Sequence, residues 1–258
     1  MIQADPTTDP AVFLGAGVYF AAFSRPNASQ VWKIPLENLR KLGFEKQFFA
    51  YSRFATDSRW TFVKRKVRKV RVPELVRQTT LAAQQLTTVQ GYSKFFAATE
   101  VASGAEIILD LGRCGIQSYS GFAVVQESLR PLNTDRILID DESIVESIYS
   151  VNQFFWNHGI AFFRYAELLG FENHAFAPDG SIKGFDLTGV TTSLSKITAR
   201  VGLENRKFRS YLDKLCQRLS SQNDKQVIDQ FQKWCLDKYS VQNISDHWRK
   251  ASVGEMQH

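Results

Sequence analysis

The chain has 258 residues, 44% of them hydrophobic, 13% aromatic and 22% charged, with 32 basic against 26 acidic side chains and a net charge of +6. A chain of this length builds one or two domains with a sizeable core, and so many aromatics exclude a disordered protein. No run of eighteen apolar residues occurs, which excludes a membrane-spanning helix, and Met1-Ile2-Gln3-Ala4-Asp5-Pro6 lacks the basic and apolar regions of a signal peptide, so the cytoplasm is the expected compartment.

The predicted elements begin with short strands. Val12-Phe13-Leu14, Val18 to Ala21 and Gln30 to Ile34 are apolar runs separated by glycines and by the turn signal Pro26-Asn27-Ala28-Ser29. After Pro73 the apolar residues Leu75, Val76, Leu81, Ala82 and Leu86 recur at helical spacing, and proline is tolerated at a helix start. Lys94 to Ala97, Ala105 to Leu109 and Gly121 to Val125 read as further strands. From Asp141 to Asn157, Ile144, Val145, Ile148, Val151, Phe154 and Phe155 line one helical face. The acidic start Asp140-Asp141-Glu142 suits a helix N-terminus, and Gly159 marks the stop. His158 to Gly189 is rich in turns. Lys207 to Leu219 and Asp224 to Tyr239 read as helices, and the tail 252–258 as frayed. Strands come first and helices second, which predicts an α+β protein of two lobes with its boundary at Leu129-Arg130-Pro131: residues 1–129 and residues 130–258.

Cys114, Cys216 and Cys235 are too few and too scattered for a disulfide framework, and the four histidines show no metal-binding spacing. His158 and His174 read as packing or turn residues. The tryptophans at 32, 60, 156, 234 and 248 read as core aromatics. Lys64 to Arg71 holds six cations in eight positions, which offers a patch for an acidic partner or polyanion, or simply a solvated strand or loop.

Several features fall in one order along the chain. Leu14-Gly15-Ala16-Gly17-Val18-Tyr19-Phe20-Ala21 puts glycines in a strand turn, where backbone amides approach phosphate oxygens closely. Lys33 ends the strand Val31-Trp32-Lys33-Ile34, Glu74 opens the next helix, and Gln126-Glu127-Ser128 follows an apolar strand as a hinge would. Then come Glu172-Asn173-His174, Asp179-Gly180-Ser181-Ile182-Lys183 and Gly184-Phe185-Asp186-Leu187-Thr188-Gly189. This ordered set, over roughly residues 12 to 190, resembles the protein kinase-like superfamily: a shortened glycine-rich loop, the lysine strand, the regulatory helix, the catalytic-loop asparagine and the metal-binding aspartate.

The resemblance implies a two-lobed kinase-like fold, with a small β-rich lobe and a reduced, mainly helical one. It further implies an ATP-dependent phosphotransferase that acts by default on serine or threonine of a protein substrate. Gly15, Gly17, Lys33, Glu74 and Glu127 would bind the nucleotide, with Lys33 on the α- and β-phosphates and paired with Glu74; Asn173 and Asp186 would hold Mg²⁺. The position five residues before Asn173, where the family carries its catalytic aspartate, is Leu168, and Tyr165 follows Arg164 where the acid of an Arg-Asp pair belongs. Glu167 is the nearest carboxylate and would serve as the base. That departure keeps open a pseudokinase that binds ATP as a scaffold. Two lesser alternatives are an ADP-ribosyltransferase, from Gly17-Val18-Tyr19-Phe20-Ala21, though no histidine precedes that segment, and a polyanion binder working through Lys64 to Arg71.

Overall fold

The computed structural model describes residues 9–16, 19–26, 28–44, 72–131, 142–162, 174–187, 190–218 and 221–254. The chain is mixed α+β and divides into two compact units, Met1–Ala83 with Ala98–Ser128, and Gln84–Ala97 with Leu129–His258.

In the first unit β1 (Ala11–Ala16), β2 (Phe20–Ser24), β3 (Gln30–Pro35), β4 (Thr99–Asp110) and β5 (Ile116–Glu127) form a barrel in the order β1-β2-β3-β5-β4. All pairings are antiparallel except the closing one, where Ala11 and Val12 run parallel to Leu109 and Asp110. A barrel of five strands is narrow, so its interior needs small residues among large ones. Ala11, Ala21, Ala105 and Ala123 supply the small ones, and Phe23, Ile34, Ile107 and Leu109 fill the space between them. Helix α1 (Leu36–Arg40) adds Leu36 and Leu39 to this core. Phe44 joins it, with its ring 5.2 Å from Phe13 and 5.9 Å from Phe23.

Tyr119 is the polar tie within that core. Its hydroxyl accepts from Asn38 Nδ2 at 3.0 Å and donates to the Phe122 carbonyl at 2.6 Å. The chain curls back over the ring at Gly121, where φ is +156° and any Cβ would lie 2.9 Å from the tyrosine oxygen. Only glycine fits there.

Helix α2 (Val72–Thr87) follows, with Leu75, Thr79, Ala82, Ala83 and Leu86 as its buried stripe; the division between the two units falls inside it, after Ala83. The second unit is built around α3 (Glu142–Trp156), α4 (Leu194–Arg218), α5 (Gln222–Lys238) and α6 (Val241–Gly254). Ile148, Val151 and Phe155 of α3 are each no more than 1% exposed. Tyr239, just past α5, packs edge-on to Trp156 and Tyr149 at 5.5 and 5.6 Å. Five short strands are described in this unit: β6 (Arg130–Pro131) pairs with β8 (His174–Phe176), β8 with β9 (Ile182–Gly184), and β7 (Ala161–Phe162) with β10 (Val190–Thr191).

Some expected boundaries shift for local reasons. The expected strand Lys94–Ala97 is a 3₁₀ turn at Tyr92–Lys94 and a single bridge from Phe96 to Gly184. Its apolar character serves Phe154 and Phe155 of α3, against which Phe95 stacks at 4.1 Å and Phe96 sits edge-on at 6.2 Å. Strands β4 and β5 are longer than expected, because a bulge between Ala102 and Ala105, opposite the small residues Gly121 and Ala123, breaks the alternation without ending the ladder. Helix α4 starts at Leu194 rather than Lys207; Ser195, Thr198 and Gly202 are poor helix formers, but Ile197 and Val201 bury one face. A final helix, α6, was not anticipated, although Ser240 caps it by accepting from Asn243 N at 3.1 Å.

Candidate functional site

The described site residues fall in both units. On β3, Ile34 belongs to the barrel core and Trp32 packs against it, so alternation along the strand turns Lys33 to the outer face. Lys33 is half-buried there, opposite Ala22 of β2 and Val124 of β5. Small apolar neighbours cover the stem of such a lysine and leave its ammonium as the polar tip.

Gly15 sits on β1 opposite Ala22, just past a break in register after Phe13. A Cβ built on it meets nothing within 4 Å. Neither packing nor a left-handed backbone requires this glycine, and the open space above it leaves its peptide accessible to a ligand. Gly17 lies outside the described residues.

Glu74 occupies the first turn of α2, where a carboxylate is favoured by the helix dipole. It is exposed, and its two oxygens take hydrogen bonds from Arg77 at 2.8 and 3.0 Å and from Gln78 at 2.6 Å. The Arg77 hydrogen bonds, followed by that of Gln78, hold its carboxyl below the usual range. The carboxylate that the resemblance pairs with Lys33 is thus engaged by its own helix in this structure.

Glu127 closes β5. Its amide donates to the Ala98 carbonyl at 2.9 Å, and its Oε2 accepts from Ala98 N at 3.3 Å. The side chain therefore grips the start of β4 and fixes the end of the sheet.

In the second unit Asp186 follows β9 in the half-buried run Phe185-Asp186. Its approach is fixed on both sides. His174–Phe176 of β8 pairs along one edge of β9, while Gly184 N donates to the Phe95 carbonyl at 3.0 Å and Ala97 N to the Gly184 carbonyl at 2.8 Å on the other. The β8–β9 turn is set by Gly180 at φ +84° and by Asp179, whose Oδ1 accepts from Ser181 N at 2.9 Å and Ser181 Oγ at 2.6 Å. Those bonds also lower the Asp179 carboxyl pKa. Glu167, Leu168, Tyr165 and Asn173 lie outside the described residues, as does the basic run Lys64 to Arg71. Among the described residues no group of three or more His, Cys, Asp or Glu side chains gathers in metal-binding geometry.

Two side chains stand out that the sequence reading did not assign to the site. His174, next in sequence to Asn173, is 2% exposed; burial pushes its pKa down to about 3, and its Nδ1 has no hydrogen-bond partner. Gln126, beside Glu127, is 2% exposed, and its Oε1 is likewise unpartnered. Both neighbour residues that the motifs singled out, but burial is a tertiary property, and no spacing rule reads it from one residue. His158 is an ordinary helix-end residue: its Nδ1 donates to the Phe154 carbonyl at 2.8 Å.

No protein-family model matches the chain, and no curated protein is significantly similar to it in sequence.

Proposed function

We propose that the protein is an ATP-dependent phosphotransferase of the protein kinase-like kind, acting on serine or threonine side chains of a protein. The observation that carries this reading is the setting of Lys33: third strand of a five-stranded barrel, turned away from the core, after a strand turn with an open glycine at Gly15 and before a helix that opens on Glu74. In protein kinases the phosphate-binding lysine likewise stands on the third strand, beneath a glycine-rich loop and before the helix whose glutamate pairs with it.

Phosphoryl transfer depends mainly on positioning and on neutralising charge. Lys33 would neutralise the α- and β-phosphates, and the half-buried peptide at Gly15, with open space above its Cα, would approach the phosphate chain. Asp186 and Asn173 would hold Mg²⁺, a hard cation suited to carboxylate and amide oxygens, which when bound screens the phosphate charge. Glu167 would take the hydroxyl proton of the acceptor. A second reading, a pseudokinase that binds ATP without turnover, is favoured by one observation, Leu168 where the family's catalytic aspartate stands.

Thermal-shift titration with ATP, with and without Mg²⁺, tests the nucleotide site: the melting temperature rises with Mg·ATP in the wild type and not in Lys33→Ala. Transfer of labelled phosphate then separates the two readings. The kinase reading expects transfer that Asp186→Ala abolishes and Glu167→Gln slows by about a hundredfold. Mg·ATP binding without transfer to any protein acceptor leaves the pseudokinase. No ATP-dependent shift removes both.

A further inference from the structure

Helix α4 holds a basic surplus of its own. It carries seven lysines and arginines against two carboxylates, Glu204 and Asp213, a net of +5 where the whole chain has +6. Ile197, Val201 and Leu212 form its buried line. Away from that line, positions 196, 200, 207, 214 and 218 fall within about 40° of one another around the helix axis and span about 33 Å along it. Each of the five is lysine or arginine, and Glu204 and Asp213 stand outside that arc. Lys196 and Arg200 are exposed, as are Arg206 and Arg209 further round the helix.

This arrangement works against the helix that carries it. Lys196 and Arg200, and again Lys214 and Arg218, are like charges four positions apart, a spacing that destabilises a helix. The first turn holds Lys196 and no acid, the unfavourable sign for the positive end of the helix dipole. A helix face that serves only to stay solvated mixes both signs. A row of one sign is stabilised instead by a partner that brings the opposite charge at matching density.

We infer that this face of α4 docks on the phosphate backbone of a nucleic-acid duplex, without reading its bases. A duplex is a stiff rod with a negative charge every 1.7 Å or so, and a straight row of cations about 33 Å long matches roughly one of its turns. A flexible acidic peptide would lose conformational freedom in lining up along such a row. A membrane surface calls for a broad apolar strip beside the cations, and among the described residues Leu203 is the one large apolar side chain exposed on α4. No aromatic ring is exposed on α4 among the described residues, so nothing there offers the stacking that holds unpaired bases. The inference does not depend on the nucleotide reading, whose Lys33 belongs to the other unit.

Fluorescence anisotropy of the full chain with labelled DNA and RNA duplexes of about two turns, across about 50 to 200 mM salt, tests this. The wild type binds a duplex, and the logarithm of its affinity falls against the logarithm of salt with a slope of about −4, the mark of five cations on phosphates. The variant Lys196→Gln/Arg200→Gln/Lys207→Gln/Lys214→Gln brings that slope to about −1 and weakens binding at low salt by at least about thirtyfold. Neutralising Lys64 to Arg71 instead leaves the slope unchanged. If the fourfold variant does not fold, the pairs Lys196→Gln/Arg200→Gln and Lys207→Gln/Lys214→Gln each make the slope shallower by about two. Single strands of the same length, polyglutamate and phosphatidylserine vesicles bind at least about tenfold more weakly than the duplex. No duplex binding at the lowest salt, a slope that survives the α4 substitutions, or equal binding of any of those three competitors overturns the inference.

Discussion

The two units bury different chemistry. Inside the barrel the core is alanine, leucine, isoleucine and phenylalanine, tied by one tyrosine hydroxyl with partners on both its donor and acceptor sides. The helical unit buries imidazoles and amides. Asn152 of α3 donates to the Ile148 carbonyl and to the Tyr239 hydroxyl at 3.1 and 3.2 Å. His247 of α6 bonds through Nδ1 to Asn157 Oδ1 at 2.8 Å and through Nε2 to Gln153 Nε2 at 3.1 Å. His174 is buried in β8 with its Nδ1 unpartnered. An apolar core depends on volume and is indifferent to acid. A polar core depends on each partner being present and in the right protonation state. The comparison teaches where each unit is vulnerable: the barrel to cavities, the helical unit to protons.

The largest effect belongs to the barrel. Phe23 is fully buried, and its ring lies 5.7 Å from Phe13 and 5.9 Å from Phe44. Phe23→Ala should lower stability by about 4 kcal/mol in urea denaturation. The same loss is expected at pH 7 and pH 5, since among the described residues no carboxylate or imidazole belongs to that core. A cost that changes strongly between the two pH values would break the contrast.

The next effect belongs to the helical unit. Burial lowers the His174 pKa from 6.5 to about 3, so below pH 6.5 the unfolded chain binds a proton that the folded chain refuses. Its neutral state favours folding fully above pH 6.5, and that advantage is lost progressively as pH falls toward 3. At pH 5 the penalty is about 2 kcal/mol. Replacing the ring by an uncharged side chain, His174→Leu, should flatten the fall in stability between pH 7 and pH 5 by that amount; parallel curves for the two proteins would place the acid sensitivity elsewhere. In the barrel, burial raises the Tyr119 pKa instead, so ionising that hydroxyl at high pH costs stability.

This contrast also explains how much was legible in the sequence. Short apolar runs bounded by turn signals marked the start of β2 and most of β3, and the face of α3 was readable from Ile144 to Phe155, because such signals are local. Lys33, Glu74 and Asp186 stand on or beside elements that such patterns locate, so their places could be read. The first half of α4 could not, because its propensities are poor and Ile197 and Val201 hold it through tertiary burial. Phe95 and Phe96 looked like a strand since apolar residues signal burial without saying against what, and their partners are the rings of α3. Gln126 and His174 were ordinary polar letters; their chemistry comes from burial alone. At Glu127 the residue was marked, while the structure shows its carboxylate on the Ala98 peptide, a partner 29 positions away that no local pattern reports.

Helix α2 is the one element divided between the two regions, and it carries the smallest effect. Its Glu74–Arg77 pair is exposed and spans one turn, and water and salt screen such pairs until they add little to stability. Arg77→Ala should therefore leave the melting temperature unchanged. The substitution also removes the first competitor for the Glu74 carboxylate, which under the proposed function is the partner of Lys33. Mg·ATP binding should then strengthen by roughly threefold, an effect that Glu74→Gln would erase in the double variant. Should Arg77→Ala leave both melting temperature and affinity where they were, Glu74 is a helix-start residue and nothing more, and the proposed nucleotide site of the barrel unit rests on Lys33 without it.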